Sequence, residues 1–330
     1  MLADVLTSFF LTKFELFKGI LIFIFFYFVF YFIDLNSNLY RINYKFGKEK
    51  AIKSRHISQN ILTTVKAKHN FKERPVIIFS AHYDSASVNY NEKFLIYIYI
   101  SYFFFSSTYF SIIYIFDFYF PVKLIIFFFG LIYLIFFLTI KINNRSNGSI
   151  DNASGTAILI ELSRLFYNNP LTNLDIIFLW TGAEELGLWG SRNYCTKNLK
   201  WLNKKYNLNK SYIINIDMVG SYIGLVNNAK YSKKKLKNIN LTDLIKDIAK
   251  EKGISLKIEK KFITLLSDNI IFNNFAKKIR KKLQICTFNS ANDKKFIHST
   301  KDTPDKCFSE NLNGCIDICY FTLKKLDTYQ

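Results

Sequence analysis

Two adjacent glutamates, Glu184 and Glu185, follow an apolar, β-rich run at residues 174–180 after a short turn of small residues. Such a run is typical of a buried strand in a parallel sheet. In open α/β sheets, ligands bind just beyond the carboxyl ends of the strands. Two carboxylates brought together there repel each other and lose water, so a positive partner is expected beside them. The alternative is a solvated pair at the start of a helix, because Glu is mostly an exposed residue.

Four other polar residues share with Glu185 a position at the end of a predicted strand or the start of a predicted helix: His82, Asp151, Asp217 and His298. Two imidazoles and three carboxylates are ligands that a pair of borderline cations such as zinc prefers. Singly, each has a structural explanation, because a lone His is commonly packed and an Asp before a helix is commonly a cap. Together they predict a metal centre at one edge of a sheet.

The elements that must position these residues are alternating strands and helices. Apolar runs predict strands at residues 76–80, 174–180, 212–216 and 284–288. Helices are predicted from the 149–155 segment to about residue 167, around residues 189–194, at 241–252 and from 310 to about 326, and a further turn opens at Ser267. This alternation predicts a three-layer α/β fold, with a mostly parallel sheet covered by helices on both faces.

Three long apolar segments predict about three transmembrane helices. Residues 14–33 are almost wholly apolar and about long enough to cross a bilayer, so residues 1–55 are predicted to be an N-terminal membrane anchor with a basic linker. Residues 94–116 carry no charge and residues 122–140 carry only Lys123, which predicts a transmembrane hairpin over residues 94–140. A pair of buried core helices is the alternative. The soluble domain is predicted over residues 56–330, interrupted by this hairpin.

The composition limits the classes of partner that the chain is expected to bind and the compartment it is expected to occupy. Its 330 residues include 45 Lys and Arg against 25 Asp and Glu, a formal charge of +20. That charge suits nucleic acid or an anionic membrane surface. However, no basic run interleaved with aromatics lies in a recognisable nucleic-acid fold, so no nucleic-acid partner is predicted. The five cysteines include no C-x-x-C pair. They therefore exclude a disulfide scaffold and favour a reducing compartment, with Cys315 and Cys319 packed in the core.

Five motifs, in this order along the chain, resemble those of the co-catalytic zinc aminopeptidases, the family that includes aminopeptidase Y, glutamate carboxypeptidase and glutaminyl cyclase relatives. The motifs are Ala81-His-Tyr-Asp-Ser85, Asp151-Asn-Ala-Ser-Gly155, Gly182-Ala-Glu-Glu-Leu-Gly187, Asn215-Ile-Asp-Met218 and Ile297-His-Ser-Thr-Lys-Asp-Thr-Pro304. The resemblance covers the chain from about His56 to the C-terminus, apart from the hydrophobic hairpin. It implies a zinc exopeptidase fold acting on peptide substrates.

The resemblance also implies a role for each candidate ligand. His82 and Asp217 would bind one Zn²⁺. Glu185 and His298 would bind a second, and Asp151 would bridge both. Cobalt or manganese suits the same ligands, so the sequence does not fix the metal.

Glu184 is, by the same resemblance, the general base that takes a proton from the attacking water and passes it to the leaving amine. Asp84 would orient the His82 ring from outside the metal site. A plain turn aspartate after a strand is the alternative for Asp84.

Two further features accompany the resemblance. Relatives often have a cis peptide bond after the bridging aspartate, so one is expected at Asp151–Asn152. They also commonly carry Ser-Asp-His where this chain has Ser267-Asp-Asn269, so the chain departs from the family pattern at Asn269.

These features predict a membrane-bound zinc exopeptidase, in the first place an aminopeptidase. A glutaminyl-cyclase-like acyltransferase using one zinc, and a non-catalytic binding protein with a peptidase fold, are the alternatives. The hairpin between two metal-site segments predicts that hydrophobic peptides arrive near the membrane. Lys and Arg in residues 34–55, with Lys141 and Arg145, place the peptidase domain in the cytoplasm by the positive-inside rule. The sequence carries no signal for the oligomeric state.

Overall fold

A computed structural model describes residues 57–70, 72–90, 138–226, 240–259 and 267–329, with scattered positions between 94 and 136. The described residues divide into two units. One contains residues up to Ser87 and from Asn144 onward, and the other contains residues 88–143. The predicted anchor and basic linker lie outside the described residues.

The larger unit is built on a sheet. Across the described residues of both units the chain forms nine strands: β1 (Ile61–Val65), β2 (Val76–His82), β3 (Ser87–Val88), β4 (Ile142–Asn143), β5 (Asp175–Thr181), β6 (Tyr212–Ile216), β7 (Gly224–Val226), β8 (Lys257–Glu259) and β9 (Gln284–Phe288). Seven of them form one sheet in the order β1-β5-β2-β6-β9-β7-β8, and β3 and β4 form a second sheet.

The large sheet is mixed, with a parallel centre. Its strands β5, β2, β6 and β9 are parallel to one another, whereas β1 and β7 pair antiparallel at the two sides. The prediction of a mostly parallel sheet therefore describes its centre. Because parallel strands end at the same edge, His82 at the end of β2 and Asp217 after β6 lie at one edge of the sheet.

Helices cover both faces of this sheet. They are α1 (Ser154–Asn168), α2 (Trp189–Lys205), α3 (Leu241–Glu251), α4 (Asp268–Lys278) and α5 (Ser309–Thr328). Successive strand residues point to opposite faces. Ile77 and Phe79 pack in the cluster that includes side chains of α1, α3 and α5, and Ile78 packs with side chains of α2 and α4. Burying each large apolar side chain contributes about 1.5–3 kcal/mol, so the two-sided core fixes the strands that carry the site.

The predicted elements agree with the structure where the apolar pattern is strong. The strands predicted at residues 212–216 and 284–288 have those bounds. Cys315 and Cys319 on α5 are free and fully buried, as predicted. The turn predicted at Ser267 is the N-terminal boundary of α4, and β1, β7 and β8 were not predicted.

The smaller unit contains helical residues between 94 and 104 and between 128 and 138. Aromatic rings pair between the two stretches, with centroids 5.6 Å apart for Tyr102 and Tyr133 and 5.8 Å apart for Phe94 and Phe136. Among the described residues, no helix combines the length and the apolar character needed to cross a membrane. The predicted spans fall wholly or partly outside those residues and stay predictions.

A buried ion pair fixes the start of β5. Asp175 Oδ1 lies 3.1 Å from Arg74 Nε and accepts a hydrogen bond from Ala67 N at 2.8 Å, while Oδ2 accepts one from the Tyr206 hydroxyl at 3.0 Å. The Asp175 side chain is fully buried. One carboxylate therefore joins three segments at the edge of the sheet opposite the candidate site.

Replacing Asp175 with Asn should destabilise the protein by about 3–5 kcal/mol, because it leaves the Arg74 charge buried without its partner. Urea denaturation of the full chain in mild detergent measures this loss. The control is Asp243→Asn, which breaks an exposed pair with Lys246 and should cost less than about 1 kcal/mol. Equal losses in the two variants would contradict the role given to Asp175.

Candidate metal centre

The predicted ligands converge at the carboxyl edge of the sheet. Ligand atoms of His82, Asp151 and Asp217 form one group, and those of Asp151, Glu185 and His298 form another; within each group they lie within 4.8 Å of one another. Asp151 belongs to both groups. Segments more than 200 residues apart in sequence thus meet at one shared carboxylate.

The distances give each imidazole its own oxygen of Asp151. His82 Nε2 lies 3.0 Å from Asp151 Oδ1 and 3.5 Å from Asp217 Oδ1. His298 Nε2 lies 3.4 Å from Asp151 Oδ2 and 3.0 Å from Glu185 Oε2. The carboxylate of Asp151 therefore lies between two clusters of ligand atoms.

The surroundings of Asp151 Oδ1 indicate whether a cation fits at this site. This buried oxygen has no assigned hydrogen-bond partner among the described residues, although His82 Nε2 lies 3.0 Å away. Leaving such an oxygen unpartnered costs free energy. Imidazole nitrogens and carboxylate oxygens are the ligands zinc takes in proteins, so both groups fit a zinc ion.

The negative charge of the site also favours bound cations. Four carboxylates lie together at this site: Asp151, Glu184 and Asp217 are buried, and Glu185 is partly buried. Two divalent cations carry as many positive charges as these four groups carry negative ones. Buried charges persist when they are paired or coordinate metals, so the cluster suits a pair of cations.

Without a cation, protons compensate the carboxylates. Burial lowers the pKa of His298, but its contacts with Asp151 and Glu185 outweigh burial and raise that pKa to about 11. Burial also lowers the pKa of His82, and Glu184 together with the contacting carboxylates raises it well above 6.5. In the metal-free site, the surrounding carboxylates therefore favour the protonated form of both imidazoles.

Glu184 differs from its neighbour Glu185 in that neither group of ligand atoms in the described part of the chain includes it. Burial raises its pKa well above 4.5. His82 opposes that shift, and the carboxylates of Asp217, Asp268 and Glu185 add to it. A buried carboxyl with a raised pKa, beside the metal ligands but outside both groups, is suited to accept and release a proton near neutral pH.

The carboxylate of Asp84 contacts the main chain at Glu184 and Glu185 rather than the His82 ring. Its oxygens accept hydrogen bonds from Glu184 N at 3.0 Å and Glu185 N at 3.1 Å. His82 Nδ1 lies 3.0 Å from the main-chain oxygen of Asp84, whereas the carboxylate is 3.9 Å away. In return, Glu185 Oε1 accepts a hydrogen bond from Ala86 N at 3.2 Å. Asp84 thus orients the ring through its main chain and the glutamates through its side chain.

Asn152 holds the chain beside Asp151. The Asp151–Asn152 peptide bond is cis, as expected. Asn152 Nδ2 donates to Ile216 O at 2.9 Å, and Oδ1 accepts from Gly155 N at 3.0 Å and Met218 N at 3.2 Å. A Cβ at Gly155 would lie 2.5 Å from Asn152 Oδ1, so the close approach requires glycine. These contacts join the Asp151 segment to the end of β6.

Unusual backbone conformations also cluster at the site. Ala183, Met218 and His298 have φ values of 56°, 77° and 54°. Ala183 precedes Glu184, Met218 follows a candidate ligand, and His298 is one. A non-glycine residue in this left-handed region costs about 1–3 kcal/mol and persists where the surrounding structure holds it, often at functional sites.

The sequence predicts no role at the site for Asp268 or Asp302, and for Asn152 it predicts only the cis bond that follows Asp151. Asp268 Oδ2 accepts a hydrogen bond from Thr181 Oγ1, the last residue of β5, and Asp302 accepts from main-chain N–H groups beside Asp151. The available signal was their place within or beside the quoted motifs. Asn269, where the chain departs from the family pattern, is buried next to Asp268.

The family model for Peptidase family M28 matches residues 60–322. Aminopeptidase YwaD of Bacillus subtilis (strain 168) is 38% identical over 76 residues, which are 23% of this chain and 16% of that protein. A probable zinc metalloprotease of Pyrenophora teres f. teres (strain 0-1) is 38% identical over 74 residues, 22% of this chain and 15% of that protein. The matched segments therefore span about one sixth of the length of these relatives.

Among solved structures, that of Acidobacteriales bacterium glutaminyl cyclase aligns with a TM-score of 0.51 at 16% identity. The alignment covers 82% of this chain and 74% of that chain. At this identity the likeness shows a shared fold.

Metal uptake should release protons, because a cation must displace them from His82 and His298 at neutral pH. We expect zinc affinity to rise about tenfold per pH unit for each proton released. Calorimetry of the metal-free protein in buffers of different ionisation enthalpy counts these protons between pH 6 and 8.

The matched variants for this titration are His298→Gln and His69→Gln. His298→Gln should reduce both affinity and proton release. His69 is exposed and absent from both ligand groups, so its replacement should change neither. Zinc binding independent of pH in the unmodified protein would contradict the expected competition.

Proposed function

The chain belongs to peptidase family M28, and from that premise we propose that it is a membrane-bound, zinc-dependent exopeptidase, in the first place an aminopeptidase. The observation that carries the proposal is the single carboxylate, Asp151, shared by two groups of ligand atoms. That arrangement suits two cations close together, which is the arrangement used by hydrolases that act through paired metals.

Each group would hold one Zn²⁺: His82 and Asp217 on one side, Glu185 and His298 on the other, with Asp151 common to both. When bound, such a pair of cations supplies polarisation of a carbonyl oxygen and a lowered pKa for water. The protein's own contribution is to fix the ligands and exclude bulk water.

Glu184 would carry the proton. Its carboxylate takes a proton from the attacking water, whose oxygen adds to the peptide carbonyl carbon. As the carbon–nitrogen bond breaks, Glu184 gives that proton to the leaving amine. The hydrogen bonds from the main chain of Glu184 and Glu185 to Asp84 hold the base in place for both transfers.

Peptide hydrolysis is favoured over the alternatives by the ligand set. A cyclase-like acyltransferase with one zinc needs only one group of ligands, whereas this site has two. A non-catalytic binding protein would not require a buried carboxyl beside them, as Glu184 is. Cyclisation of a glutaminyl peptide without hydrolysis would support the acyltransferase instead.

Membrane attachment is supported by the apolar segments at residues 14–33 and 94–140. In the unit of residues 88–143, large apolar side chains are exposed, among them Tyr97 at 69% and Leu138 at 66%. Exposed apolar groups on neighbouring helical turns suit lipid rather than water. The basic residues in 34–55, with Lys141 and Arg145, support a cytoplasmic peptidase domain.

Replacing Glu184 with Gln should lower kcat by about 10²- to 10⁴-fold, because the proton carrier is lost while the ligands remain. Hydrolysis of aminoacyl nitroanilides and metal analysis of the same preparation measure the two properties. Glu185→Gln is the adjacent control and should lose metal as well as activity. A Glu184→Gln enzyme that keeps its activity, or loses its metals, would contradict this role.

The full chain should stay in the membrane fraction after alkaline extraction, since apolar spans hold integral proteins there.

The orientation of the peptidase domain is tested with a variant that carries one accessible cysteine. Cys307 is changed to Ser, because the other cysteines are buried, and the exposed Lys200 is changed to Cys. A membrane-impermeant maleimide should label this variant only after the cells are permeabilised. Extraction into the supernatant would contradict membrane insertion, and labelling of intact cells would contradict the cytoplasmic orientation.

A further inference from the structure

Asp302 connects two parts of the candidate site. Its carboxylate accepts hydrogen bonds from Ile150 N at 2.6 Å, through Oδ1, and from Asp151 N at 3.2 Å, through Oδ2. The side chain is fully buried. Asp302 also lies four residues after His298, in the same loop. It therefore joins the loop of one candidate ligand to the main chain of another.

Asp151 needs support of this kind. It lies in a single π-helical turn, Ser149–Ala153, before α1 begins, and its φ of −116° and ψ of 88° are not helical. The first N–H groups of a helical turn have no partner within that turn. Asn152 holds the chain on the C-terminal side of Asp151 through Ile216. Asp302 holds it on the N-terminal side.

We propose that Asp302 is a positioning residue for Asp151, fixing its main chain so that its two carboxylate oxygens face His82 and His298 at the same time. This inference rests on the proposed function, in which Asp151 is shared by two cations. Asp302 itself does not contact substrate or the reacting atoms in this role.

The loop of the other histidine is built in the same way. His82 lies two residues before Asp84, whose carboxylate accepts from two successive N–H groups at Glu184 and Glu185. In both loops an imidazole points to the site, and a nearby carboxylate accepts hydrogen bonds from two successive main-chain N–H groups in a segment that carries another candidate ligand. Groups that lock ligands in this way are a recurring requirement of well-ordered metal sites.

The test is the affinity of the metal-free full chain for Zn²⁺, measured by competition with a chromophoric chelator. In Asp302→Asn one oxygen becomes an NH₂ group that faces an N–H donor. Both zinc-binding steps should weaken by about 10- to 100-fold, because the displaced Asp151 serves both cations. His298→Gln should weaken mainly one step. The visible absorption bands of the Co²⁺-loaded Asp302→Asn protein should also change.

Asp327→Asn is the matched control. Asp327 likewise accepts from two successive N–H groups, Thr172 N and Asn173 N, both at 2.7 Å, but these lie before β5 at the opposite edge of the sheet. Its replacement should lower the unfolding midpoint in urea while leaving both zinc affinities and the Co²⁺ spectrum unchanged.

Each outcome decides one question. If the unsubstituted protein binds fewer than two Zn²⁺, the proposed function is overturned, whatever the variants do. Two Zn²⁺ bound by Asp302→Asn with unaltered affinities overturns only the positioning role. If Asp302→Asn does not fold, Asp302→Glu, which keeps the charge but moves the oxygens, is measured in its place and should show the same weakening. Failure of both to fold while Asp327→Asn folds makes Asp302 a folding residue and overturns the inference.

Discussion

Mutual repulsion among buried carboxylates is the constraint on which the rest of this structure depends. Asp151, Glu184, Glu185 and Asp217 meet at one edge of the sheet, where their like charges repel one another. Their mutual repulsion opposes this arrangement, so the tertiary fold has to hold the four groups together. The hydrophobic cores on the two faces of the sheet hold the parallel strands in register, so the ends of those strands bring the acids together. Protons on the imidazoles, or cations in their place, then compensate the charge.

The acids are held mainly through their main chain. Asp84 and Asp302 each accept two successive N–H groups, and Asn152 joins the segment of Asp151 to the end of β6. Side chains that face a cation must keep their own oxygens free, so other groups have to fix their positions. Hydrogen bonds to the adjacent backbone do this without competing for the ligand atoms. The left-handed conformations at Ala183 and Met218 persist within this framework.

Sequence reasoning reaches the parts of the molecule that local pattern determines. Buried central strands appear in the sequence as apolar runs. Polar residues at the ends of these strands could be predicted to lie together, because parallel strands end at the same edge of a sheet. Strand β1 was missed because it is an edge strand, with Ile61 and Leu62 half exposed and two threonines in its five residues. The partners of Asp302 were beyond reach, because a hydrogen bond to a main chain 150 residues away leaves no mark on the residues around it. For the same reason the hydrogen bonds from the Glu184 and Glu185 main chain to the Asp84 side chain were not predicted.

The different positions of Glu184 and Glu185 follow from one turn. Ala183, with its φ of 56°, turns the chain at the end of β5, and Asp84 then grips both following N–H groups. The Glu185 side chain reaches His298, whereas Glu184 belongs to neither ligand group among the described residues. Burial raises the pKa of both carboxyls. A cation bound at Glu185 would offset that shift through direct coordination, while Glu184, which coordinates nothing, would keep more of its affinity for a proton. In the proposed mechanism, the geometry of this turn thereby makes one glutamate a ligand and the other a base.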